Sequence, residues 1–155
     1  MRHAPAEPSE YLEFSIEKWT CRYGFMINPL PGEHLPDLCW QTQEIELHGP
    51  LKSRRWRRAK RIRLTLSPTA SDPREWMAAW KGFGRMDGIH DGALIGAARL
   101  PPDSFCIILS GLAAGKLPMA SLGIALRERG TGVITSFSLD DPRWREEERE
   151  REVSC

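Results

Sequence analysis

No stretch of this 155-residue chain stays apolar for long. The most apolar neighbourhood, Phe105 to Ala114, is broken by Ser110 and Gly111, whereas a bilayer-spanning helix needs about 20 apolar residues. The opening Met-Arg-His-Ala-Pro-Ala-Glu-Pro-Ser-Glu lacks the apolar core of a secretory signal. Paired cysteines are missing too. Cys21, Cys39, Cys106 and Cys155 form no Cys-x-x-Cys and no regular framework, the pattern of scattered thiols in a reducing compartment rather than a zinc site or a disulfide scaffold. These absences point to a soluble, cytoplasmic protein without a membrane partner.

Catalytic signatures are equally scarce. Ser104 and Ser110 lie outside any Gly-x-Ser-x-Gly elbow, and no cysteine has a histidine near it in sequence. Gly111-Leu-Ala-Ala-Gly115-Lys116 has a superficial likeness to a phosphate loop. It lacks the Gly-x-x-x-x-Gly-Lys-Ser/Thr form and falls at the end of an expected helix, which excludes that reading. No motif calls for a cofactor or a metal. Internal repeats and low-complexity linkers are missing as well.

The formal net charge is only +1, too small for a protein that coats nucleic acid with its whole surface. That balance hides an asymmetry. Residues 52–63 carry eight basic side chains and no acid, while residues 140–155 carry seven acids against four arginines. The basic run includes Lys52, Arg54, Arg55, Arg57, Arg58, Lys60, Arg61 and Arg63, with Trp56 in its middle. Guanidinium forks bind phosphates and carboxylates bidentately, and an indole can stack on a base. Lys52, Arg54, Arg55, Trp56, Arg57, Arg58 and Lys60 are therefore the expected polyanion-binding residues. The pattern fits no zinc finger, RNP, KH or helix-turn-helix motif, and an acidic protein would satisfy it as well. A purely structural role stands beside this one: Glu44 and Glu46 would face Arg61 and Arg63 across a strand pair, and the remaining charge would be a solvated sheet edge.

At 41% hydrophobic and 28% charged, the chain is in the range of ordinary globular domains. Residues 1–9 read as a loose leader, 10–140 as one domain, and 141–155 as a charged tail with a lone Trp144. Two readings of that tail stand side by side: an ordinary solvated terminus, or a segment that can fold back on the arginine run and compete with an external polyanion. Period-2 alternation marks strands at Leu12-Phe14-Ile16, Ile45-Leu47, Ile62-Leu64-Leu66, Ala93–Leu100, Leu122-Ile124-Leu126 and Val133–Leu139. Trp19 to Ile27 reads as a continuation of the first strand, with a bend at Gly24. Residues 28–39 and 84–92 read as loops.

Two helices are expected. Asp72-Pro73-Arg74-Glu75 has the capping residues of a helix start, followed by Trp76 and Trp80 on one face. Pro101-Pro102-Asp103 opens the other, with Phe105, Ile108, Leu109 and Leu112 at helical spacing and Gly115 as its stop. The expected fold is mainly β (α+β): an antiparallel sandwich or open barrel of about six strands with two short helices.

A second candidate site is Asp87-Gly-Ile-His90-Asp91-Gly, where a histidine between aspartates could ligate a metal or act as a base, with His34 or His48 as further ligands. Asp and Gly are ordinary turn residues, and a simple turn is the competing interpretation. The preferred functional reading is a non-enzymatic binding module whose arginine-rich loop engages a polyanion, nucleic acid first and an acidic protein second. Its rival is a structural or protein-interaction subunit, as a homo-oligomer. An enzyme at Asp87, His90 and Asp91 comes third.

Overall fold

The computed structural model describes residues 9–27, 39–52, 59–69, 83–126, 131–141 and 143. Eight strands run through it: β1 Ser9–Ser15, β2 Lys18–Ile27, β3 Cys39–Pro50, β4 Arg61–Pro68, β5 Gly84–His90, β6 Ala93–Leu100, β7 Met119–Leu126 and β8 Gly132–Asp140. Helix α1, Pro102–Ala113, joins β6 to β7. The strands form one mixed sheet in the order β1-β7-β8-β5-β6-β4-β3-β2.

Alternation decides which face is inside. In β4, Ile62, Leu64 and Leu66 are buried while Arg61 and Arg63 are exposed. The antiparallel register with β3 sets Ile45 opposite Leu66 and Leu47 opposite Leu64, so both strands present their apolar residues to one core. Leu12, Phe14, Met86, Leu94, Leu122, Ile124 and Ile134 join that core at 1% exposure or less. Burying a side chain of this size fully is worth about 1.5–3 kcal/mol.

Helix α1 begins and stops where its sequence signals lie. Phe105 and Leu112, seven residues apart on one face, enter the core. Gly115 takes a positive φ of 68°, its amide bonds the Leu112 carbonyl, and the Lys116 amide bonds Gly111. Those two bonds cap otherwise orphaned carbonyls at the helix end.

Several expectations need correction. Eight strands replace about six, and the sheet is not wholly antiparallel, because β4 and β6 run parallel. Trp19 to Ile27 is a separate strand, paired with β3 from Lys18↔His48 to Ile27↔Cys39. The chain turns at Ile16–Glu17, whose amides bond the Pro118 and His48 carbonyls at 2.8 and 2.9 Å.

Residues 84–90 are a strand rather than a glycine loop. Gly84 is buried so tightly that an added Cβ would lie 2.6 Å from the Ala97 carbonyl oxygen, so glycine itself is required there. A bulge between Met86 and Gly88, with Gly88 at φ 109°, breaks the alternation that would have revealed it. The expected helix from Asp72, the leader up to residue 8 and residues 144–155 lie outside the described residues, as does the loop 28–38.

One further contact joins β1, at one end of the sheet order, to the chain just past β3, next to the other end. Phe14 bridges Leu51, just past the end of β3, and the Lys52 amide bonds the Glu13 carbonyl at 2.8 Å. Among the described residues, no helix is long and apolar enough to cross a membrane.

Candidate functional site

Both ends of the basic run are anchored by backbone. The Leu51 amide bonds the Lys60 carbonyl at 3.0 Å, and the Lys60 amide bonds the Gly92 carbonyl at 3.2 Å. Lys52 and Lys60 are exposed. Arg54, Arg55, Trp56, Arg57 and Arg58 lie outside the described residues, so the geometry of the site is that of its two ends and of the strand that follows.

That strand, β4, stands between β3 and β6, not at an edge. The residues expected to form a solvated edge, Arg54, Arg55, Arg57 and Arg58 among them, lie outside the described residues. The expected pairing of Arg61 and Arg63 with Glu44 and Glu46 does not form, although all four share the outward face. Register explains why: Glu46 stands opposite Thr65, and His48 opposite Arg63. Glu44 lies 3.9 Å from Arg22 on β2, Glu46 lies 2.6 Å from the His48 ring, and Arg61 pairs with Glu17 at the β1–β2 turn. The exposed Arg61–Glu17 pair contributes about 0–1 kcal/mol. Arg63 makes no ion pair among the described residues.

The second candidate, Asp87-Gly-Ile-His90-Asp91-Gly, is the end of β5 and its hairpin turn. Asp91 and Gly92 have φ of 50° and 76°, and His90 pairs with Ala93. Two positive-φ residues make the turn that matches the twist of adjacent strands, for which Asp-Gly is a favoured sequence. Asp87 is held 2.9 Å from Arg85, and the His90 ring lies 3.6 Å from Asp91. Among the described residues, no three His, Cys, Asp or Glu side chains come together in a way that could hold a metal ion. The turn interpretation accounts for these residues, and His34 lies outside the described ones.

The parallel pairing of β4 with β6 then does something that spacing in the chain did not suggest. Arg61 stands beside Ala93 and Arg63 beside Ile95, which sets the His90–Asp91 turn against the base of the arginine run. His48, Arg61, Arg63, His90 and Asp91 line one recess of about 140 Å³ over Ala93 and Ile95. Lys18 stands opposite His48 on the next strand. At about 4.8 Å between strands, Lys18, His48 and Arg63 form a row roughly 10 Å long. This recess had not been expected from sequence. Its one local signal was the placing of Arg61 and Arg63 on the polar side of an alternating strand.

A larger groove, of about 540 Å³, lies between α1 and β8, with Ile107, Ile108, Phe137 and Leu139 in its walls. Cys21 and Cys106 are free and exposed. The Gly111–Lys116 segment is the end of a helix and its cap, so it is no phosphate loop.

Comparison of the chain with models of protein families, with curated proteins and with solved structures finds no match.

Proposed function

We propose that this chain is a non-enzymatic binding module whose arginine-rich segment engages a polyanion, and that the polyanion is nucleic acid. The observation that carries the reading is convergence. Lys52 and Lys60 bracket the run at anchored ends, and Arg61, Arg63, His48 and His90 lie against the same end of the sheet. Positive charge gathered at one end of the sheet, even with Glu17, Glu46 and Asp91 beside it, favours phosphate neutralisation. The scaffold belonging to this reading is an open barrel, supported by the isolated Phe14–Leu51 bridge, which joins β1, at one end of the sheet order, to the residue after β3, the strand next to the other end. Scattered, free thiols support a cytoplasmic location.

Salt dependence tests the proposal. If about four arginines meet phosphates, the log–log slope of duplex affinity against salt is on the order of −3 to −4. Replacing Arg54, Arg55, Arg57 and Arg58 together by alanine flattens it. A folded protein that binds neither duplex nor single strands at low salt would refute the proposal.

A second reading, self-association, is favoured by one observation. Among the described residues β2 pairs with β3 on one side alone, and Tyr23 on it is 61% exposed. Strand edges of this length are templates for pairing, and twofold dimers are the commonest oligomers. Sedimentation equilibrium giving a constant mass near 17.6 kDa across concentrations removes that reading.

A further inference from the structure

The recess at the base of the run has a composition of its own. Two arginines, two histidines and one aspartate line it; with Lys18, Glu17 and Glu46 beside them, the formal charge is 0 with neutral imidazoles and +2 with both protonated. Its acids are already engaged. Glu17 holds Arg61, Glu46 holds His48, and Asp91, in the turn, faces His90. Lys18 stands beside His48, and Asp87 is held by Arg85. Arg63 is the exception, exposed and without a carboxylate partner among the described residues.

The floor explains why Arg63 can serve a ligand. Its neighbours in the row are His48 on one side and Ile95 on the other. Neither accepts a bidentate guanidinium bond. Ala93 and Ile95 place no charge beneath it, so the fork of donors faces open recess. A planar fork with free N–H groups, flanked by imidazoles that add N–H donors when protonated, is complementary to a tetrahedral oxyanion.

We propose that this recess is a phosphate-group binding site. Arg63 is its principal contact, Arg61 stays fixed by Glu17 as a second positive wall, and His48 and His90 add ring N–H donors. The group can arrive on a free phosphate ester or as one phosphate of a nucleic-acid backbone. In the second case the site extends the polyanion reading above and rests on it. In the first it stands without it.

The test is an NMR titration of the full chain with inorganic phosphate, with sulfate and with a short single-stranded oligonucleotide, following the Arg63 side-chain N–H and the His48 and His90 ring signals. Phosphate and sulfate are expected to shift all three sets, and Arg63→Gln to weaken both anions by about tenfold or more. Arg63 is exposed, so the variant keeps its core, which its amide spectrum verifies. The double variant His48→Gln/His90→Gln should also weaken sulfate, by several-fold, because it removes two ring N–H donors.

Anion-induced shifts absent from these residues, or unchanged in Arg63→Gln, overturn the site. The variant lacking Arg54, Arg55, Arg57 and Arg58 separates the two proposals. Sulfate binding that survives in it while oligonucleotide binding is lost supports a free-ester site. Oligonucleotide binding lost in it but untouched in Arg63→Gln, with no sulfate shifts, rejects the recess and leaves the arginine run standing.

Discussion

Gly49→Ala is the sharpest probe of how this sheet is held at its ends. Gly49 is buried near the end of β3, where the chain leaving β1 crosses it. A Cβ built there would lie 1.5 Å from the Ser15 carbonyl oxygen and 2.7 Å from its carbon, while real Cβ contacts essentially never fall below 3.0 Å. Both partners are backbone, so no side chain can rotate away, and the two segments must separate by roughly 1.5 Å. The bonds spanning the same crossing are Glu17 N–H to His48 at 2.9 Å and Lys52 N–H to Glu13 at 2.8 Å. Losing both costs about 1 kcal/mol each, and overpacking adds about 1–3 kcal/mol. The sum, about 3–5 kcal/mol, is a large part of the roughly 5–15 kcal/mol that holds a domain folded. With an m-value of about 2 kcal/mol/M, the urea midpoint should fall by about 1.5–2.5 M. Gly123→Ala is the control. Its Cβ would meet the Ser136 hydroxyl oxygen at 2.3 Å, and that exposed hydroxyl can rotate aside, so its cost should stay within about 1 kcal/mol. Equal midpoints for the two variants by circular dichroism would refute the crossing as a point of close backbone contact.

Two further outcomes are expected. Leu64→Ala removes a fully buried side chain from central β4 and should cost about 2–5 kcal/mol, whereas Arg63→Ala, one residue away on the outer face, should change stability by no more than about 0.5 kcal/mol in the same urea titration. The Arg143 guanidinium and backbone N–H, both bonded to the Asp141 carboxylate, hold that carboxyl below its ordinary range. A group so depressed adds stability above its unfolded-state value and loses it as pH falls through the folded one. An NMR titration of the Asp141 carboxyl should show its midpoint move up in Arg143→Ala, and an unmoved midpoint contradicts the pairing.

What could be seen in advance followed the range of the interaction involved. Ile62-Leu64-Leu66 against Ile45-Leu47, the 122–126 and 133–139 pair, and α1 with its Gly115 stop were legible because alternation, helical spacing and caps are local. β2 was hidden because Ile16-Glu17 turns without glycine or proline, its amides satisfied by Pro118 and His48 from elsewhere. β5 was hidden because close packing demands glycine at Gly84, and a bulge interrupts the period after Met86. The recess was invisible for a deeper reason. Arg63 and His90 meet through a parallel register between strands that are not consecutive, and nothing in either segment encodes the other.

The pairing of β1 with β7 also sets a schedule. Ser9 pairs with Ala125 and Ser15 with Met119, so β1 waits for a strand made about 110 residues later. At about 5–20 residues per second of synthesis, that wait is roughly ten seconds. Throughout it, Leu12 and Phe14, both destined for complete burial, have no β7 to pair with. A nascent chain stopped before residue 119 would thus present a ready-made hydrophobic segment to chaperones or to its neighbours on the same message. Slowing translation near the C-terminus should lower the yield of folded protein even though it changes no residue.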